Sequence, residues 1–231
     1  MGRHISVEKT IMKKFILFVL ICLSPSAPVF AGLPEGAVYL DGGASKSGLI
    51  LAHGRGKDPT WLVVDPVRKG IHENLGYHTV SLQMPVGFSD WKEYAVGFPD
   101  AYRNIIQAIE YLKNAKGVTR VFLFGHSMGA RMSSAFVFKN PNSGLSGLVV
   151  AGCRNNGGSP LACDQSLQWI KLPVLDIWGG NNDKDAEAAA ERNRMVSNTY
   201  TQVEIPGANH KFEGYEDKLV NAVSFWLERQ D

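Results

Sequence analysis

The chain has 231 residues, 45% of them apolar and 20% charged, which suits one globular domain and excludes a disordered or fibrous class. Its formal charge of +2 is misleading, because residues 1–31 hold four of the 24 basic residues and one of the 22 acidic ones. Residues 32–231 therefore carry 20 basic and 21 acidic side chains, a balance that leaves no nucleic-acid footprint.

In chain order, Lys13 and Lys14 precede an apolar run at 15–23 that is too short to cross a bilayer. Prolines and small residues follow, and Val29-Phe30-Ala31 suits a cleavage site. Residues 1–31 read as a secretory signal peptide, with Met12 the better start. The expectation is a single exported domain over 32–231, periplasmic or secreted, with no stable membrane anchor after processing. Cys153 and Cys163 survive that processing. In an exported protein, a pair so close in sequence favours a disulfide closing the otherwise floppy loop between them.

Ala37 to Leu40 reads as an edge strand ended by Asp41-Gly42-Gly43, and Gly48 to Ala52 as a buried strand leading into His53-Gly54-Arg55-Gly56. Helical spacing runs from Thr60 to Leu75, with Gly76 as its stop. His78 to Leu82 is the next strand. A loop over 86–99 carries Phe88, Trp91, Tyr94 and Phe98. Tyr102, Ile105, Ile106, Ile109 and Leu112 then mark one face of a helix. Val121 to Phe124 is a short apolar strand that runs straight into Gly125-His126-Ser127-Met128-Gly129, with a helix behind it. Strands follow at Leu148 to Ala151, Val174 to Trp178 and Thr201 to Ile205. An Ala-rich helix is expected over roughly 186–196, and a final helix carries Leu219, Val223, Trp226 and Leu227. Strands alternate with helices, and several strands are apolar on both faces. That pattern predicts an α/β fold: a mostly parallel central sheet with helices on both faces.

In such sheets ligands bind beyond the carboxyl ends of the strands. The residues arriving there include Ser127, Asp183 with Asp185, and His210. A strand turning sharply into a helix needs the glycines at 125 and 129, and the turn lifts the Ser127 hydroxyl clear of both elements. A serine hydroxyl attacks a carbonyl only when an imidazole takes its proton and a carboxylate holds that imidazole. The order Ser, Asp, His, together with Leu51-Ala52-His53-Gly54, Gly125-His126-Ser127-Met128-Gly129, Gly180-Asn181-Asn182-Asp183 and Gly207-Ala208-Asn209-His210, resembles the α/β-hydrolase family across nearly all of the mature chain. The resemblance implies Ser127 as nucleophile, His210 as general base and acid, and Asp183 as the orienting carboxylate, with Asp185 as its competitor. It also implies an oxyanion hole from the backbone N–H groups of Met128 and Arg55.

The short connection after Cys153 leaves no room for a sizeable lid. The substrate pocket is therefore expected to be shallow or built from the Phe88–Phe98 loop and the two-cysteine loop, and His53, Phe88, Trp91 and Tyr94 are candidates for it. Asp176, inside a strand, reads as structural, and His126 as a packing residue. Gly54-Arg55-Gly56-Lys57 lacks the first glycine and the Ser or Thr of a phosphate loop, and His72-Glu73 has no second histidine at the zinc-protease spacing. Neither a metal nor an organic cofactor is expected. The expected partner is a small-molecule ester, cleaved through an acyl-enzyme. An amide- or peptide-cleaving enzyme of the same fold, and a non-catalytic module binding a cell-envelope partner, are the alternatives.

Overall fold

A computed structural model describes residues 1–2 and 32–230, so the signal-peptide reading lies almost wholly outside the described residues. Among the described residues, seven strands form one sheet: β1 (Val38–Leu40), β2 (Ser47–Ala52), β3 (His78–Leu82), β4 (Arg120–His126), β5 (Gly147–Ala151), β6 (Val174–Gly179) and β7 (Tyr200–Ile205). Their order is β1-β3-β2-β4-β5-β6-β7, and every neighbouring pair is parallel except β1 with β3. The helices are α1 (Val64–Leu75), α2 (Phe98–Glu110), α3 (Met128–Lys139), α4 (Cys163–Leu167), α5 (Asp183–Arg192) and α6 (Glu216–Glu228). No helix among the described residues is long and apolar enough to cross a membrane.

The strands are apolar on both sides because each side faces a separate core. Ile50, Leu123, Leu148 and Val150 pack under α2 and α3, whereas Leu49, Leu51, Phe122, Phe124 and Val149 pack against α1 and α6. Successive side chains of a strand point to opposite faces, so an unbroken apolar run is what a sheet covered twice requires.

Three elements differ from the sequence reading. Helix α1 starts at Val64 rather than Thr60, which places Pro66 in its first turn, where its missing N–H costs no bond. The 86–99 loop is shorter than expected, because residues 93–97 coil into a 3-10 turn and Phe98 already opens α2. Helix α5 begins at Asp183, three residues earlier than expected, with the Asn182 side chain capping it through the N–H of Asp185.

Candidate active site

At the carboxyl end of β4 the chain reverses into α3 through Ser127, whose φ of 55° and ψ of −113° are strained for a residue with a side chain. The glycines expected to relieve that turn are required by space. A Cβ on Gly125 would lie 2.6 Å from the Gly129 carbonyl oxygen, and one on Gly129 would overlap the backbone of Ala52 on β2. Neither neighbour could yield, since both are backbone. The sharp bend presents the Ser127 hydroxyl at the rim of the sheet.

His210, in the loop between β7 and α6, meets that hydroxyl with Nε2 at 2.9 Å from Oγ. Its Nδ1–H donates to Oδ2 of Asp185 at 2.5 Å. The carboxylate in this row is Asp185, not the expected Asp183. The reason is helical geometry: Asp183 is the first residue of α5 and stays exposed, whereas Asp185, two positions on, turns into the protein and is fully buried. Burial works to raise the Asp185 pKa. The hydrogen bond and charge of His210, and after them those of Arg154, outweigh it and hold the carboxyl below its ordinary value. Arg154 Nε donates to Oδ1 at 2.7 Å, so both carboxylate oxygens are engaged. Gly152, at the end of β5, has a φ of +59°, and a Cβ there would sit 2.9 Å from the His210 ring. Only a residue without a side chain lets β5 pass this close.

Two further groups complete the rim. Met128 opens α3, and its N–H has no intrahelical acceptor. Gly54 lies against the elbow, where a Cβ would be 3.4 Å from that of Ser127, and the next residue, Arg55, whose N–H is the other candidate donor, lines the same cleft. Among the described residues neither N–H donates to another backbone group. The helix N-terminus adds positive potential at the point where a tetrahedral oxyanion would form.

His126 does more than pack. Its Nε2–H donates to the carbonyl oxygen of His210 at 2.8 Å, and the two rings lie 5.0 Å apart. Complete burial, reinforced by the neighbouring His210 imidazole, pushes its pKa down to about 3, so this ring is a neutral brace for the loop that carries His210.

The pocket expectations divide. The cleft over Ser127 has a volume of about 680 Å³, and Trp91 lines it. Phe88 and Tyr94 do not: their rings pack on each other at 4.8 Å, and the 3-10 turn directs Tyr94 into the core. His53 is also buried away from the cleft. Its Nδ1–H donates to the Gly54 carbonyl at 2.8 Å and its Nε2 accepts from the N–H of Met84 at 3.0 Å, tying the loop after β2 to the segment after β3. Asp176 is structural, as expected. Its carboxylate takes two hydrogen bonds from the buried Arg192, at 2.8 and 3.0 Å.

Cys153 and Cys163 form a disulfide with their Cα atoms 6.0 Å apart. The loop between them is not otherwise floppy. Arg192 donates to the Cys153 carbonyl and Arg131 to the Asn156 and Leu161 carbonyls, which fixes the segment carrying Arg154. The two-cysteine loop does line the cleft, through Arg154, Asn155 and Asn156, and so does Trp61, which nothing local in the sequence marks. Asp185, the competitor of Asp183 in the sequence reading, is favoured by Asn182, a helix N-cap signal that puts position 185 on the first inward turn. Among the described residues, no group of three or more His, Cys, Asp or Glu could hold a metal ion.

Residues 100–229 match the family model described as "Protein of unknown function (DUF3530)". The chain belongs to that family. The part shared with DUF3530 proteins runs from α2 into α6 and contains Ser127, Asp185 and His210. No curated protein matches the chain. Among solved structures, Est1E from Butyrivibrio proteoclasticus with ferulic acid bound is 16% identical, with a TM-score of 0.70 over 88% of this chain and 99% of that one. Dienelactone hydrolase from Anabaena variabilis is 19% identical, with a TM-score of 0.67 over 87% and 95%. A lidless α/β serine hydrolase from Xanthomonas campestris is 17% identical, with a TM-score of 0.63 over 88% and 97%. This DUF3530 chain has the α/β-hydrolase fold.

Proposed function

We propose that this DUF3530 protein is an exported serine hydrolase that cleaves a carboxylic ester through an acyl-enzyme. The observation carrying the reading is the unbroken row Ser127–His210–Asp185, at 2.9 and 2.5 Å, opening onto a cleft with two unengaged backbone N–H groups. In the first half-reaction, His210 Nε2 takes the Ser127 proton as Oγ attacks the ester carbonyl. Asp185 keeps the Nδ1–H tautomer in place and offsets the charge that the imidazole gains. The N–H groups of Met128 and Arg55 hold the tetrahedral oxyanion, each contributing about 3–4 kcal/mol to transition-state stabilisation. The intermediate collapses when His210 returns the proton to the leaving alkoxide. Water then repeats the sequence on the acyl-Ser127 ester and releases the acid.

Support for export comes from the leader-like composition of residues 1–31 and from a disulfide, a bond that persists in oxidising compartments. On this reading residues 32–231 act as one domain after cleavage, without a membrane anchor. Turnover of 4-nitrophenyl esters of rising acyl length tests the hydrolase assignment. Wild type should release nitrophenol and Ser127→Ala should lose the activity. A folded wild type inert to the whole series, or a Ser127→Ala protein of equal rate, would overturn it.

A further inference from the structure

The cleft over Ser127 is lined by six cationic side chains, those of Arg55, Lys57, Arg131, Arg154, Lys184 and Lys211, against the two carboxylates of Glu187 and Glu191. Residues 32–231 as a whole are close to neutral, so this excess is local. The six are not equivalent. Arg154 is engaged by Asp185, and Arg131 by the loop carbonyls and by the Trp91 face at 5.2 Å. Lys184 shares α5 with Glu187 and Glu191, and Lys211 is on the loop after β7. Arg55 and Lys57 are the two that share one short segment. They lie on the loop after β2, and neither has an ion-pair partner among the described residues. The one acidic group of that loop, Asp58, has its carboxylate turned into hydrogen bonds from the N–H and hydroxyl of Thr60. Lys57 Nζ lies 4.8 Å above the Trp61 ring, which itself forms cleft wall.

We infer that Arg55 and Lys57, the latter over Trp61, form an anion subsite, and that the preferred substrate is an ester bearing a carboxylate or comparable anionic group. The inference rests on the hydrolase reading above and adds the substrate class to it. Two cations at a concave cleft, one of them over an aromatic ring, attract a charged substrate more strongly than isolated charges would in open water. The pull should weaken with added salt.

Two ester pairs test this and locate the charge. Mono-4-nitrophenyl glutarate against 4-nitrophenyl hexanoate puts it on the acyl part. 4-Acetoxybenzoate against methyl 4-acetoxybenzoate puts it on the alcohol part. At low ionic strength, kcat/KM should favour the anionic member of at least one pair by about tenfold, and the preference should shrink several-fold by about 0.5 M NaCl. Lys57→Gln should lower the anionic-to-neutral ratio by about three- to fivefold. Ratios within about twofold of unity for both pairs, or a preference untouched by salt and by Lys57→Gln, would overturn the subsite while leaving the hydrolase reading intact. Absence of Ser127-dependent turnover for all of these esters would overturn both.

Discussion

Acidification should cost this protein stability through His126, and the amount follows from its surroundings. The ring is fully buried, between Trp61 at 5.5 Å, Phe212 at 6.2 Å and His210 at 5.0 Å. Its Nε2–H is held by the His210 carbonyl, Nδ1 has no partner, and Asp185 and Arg154 are the other charged groups acting on it. Burial takes its pKa from 6.5 down to about 3. The unfolded chain therefore binds a proton near pH 6.5 that the folded chain refuses until far lower. Stability is fully present above the unfolded value and is lost as pH falls from about 6.5 toward about 3. At pH 5 the unfolded imidazole is almost wholly charged while the folded one stays neutral, a difference of about 2 kcal/mol against folding. Urea unfolding of wild type and His126→Gln at pH 7.5 and pH 5 measures it. Glutamine keeps a donor for the His210 carbonyl but does not titrate, so the wild type should lose about 2 kcal/mol more than the variant between the two pH values. His53 and His78, also lowered by burial, contribute equally to both proteins and cancel. Equal losses in the two proteins would refute the reasoning.

Two other outcomes follow from the geometry. Asp185→Asn should lower kcat on the order of 10³- to 10⁴-fold by disturbing the His210 tautomer, whereas Asp183→Asn, on the exposed first residue of α5, should stay within about twofold in ester assays. Replacing Cys153 and Cys163 together by serine should lower unfolding free energy by up to about 3 kcal/mol on the chain-entropy model, seen as a lower denaturation midpoint in urea.

Much of this fold was legible before any coordinates. Apolar runs such as Val121 to Phe124 and Leu148 to Val150 can be satisfied only in a sheet covered on both faces, and the glycines at 125 and 129 admit few turns other than the elbow. Ser127 and His210 follow from that frame, because each sits just past the end of a strand. Asp185 was less accessible. The distinction between residues 183 and 185 depends on where α5 begins, and treating Asn182-Asp183-Lys184 as loop hid the cap that sets the helix phase. Tyr94 and Phe88 misled for a related reason: a loop rich in aromatic residues looks like pocket wall until a 3-10 turn rotates it inward. Arg154 owes its place to chain segments that meet only in space. Arg154 reaches Asp185 from the loop that follows β5, and no local pattern in the sequence encodes that approach.

Ester hydrolysis by this protein requires Ser127 to be an activated nucleophile. Intact-mass analysis after exposure to a fluorophosphonate reads this directly: the folded wild type should gain one phosphonyl group, mapped to Ser127, and Ser127→Ala should gain none. A folded wild-type protein that stays unmodified, or one labelled equally well without the serine, would contradict it.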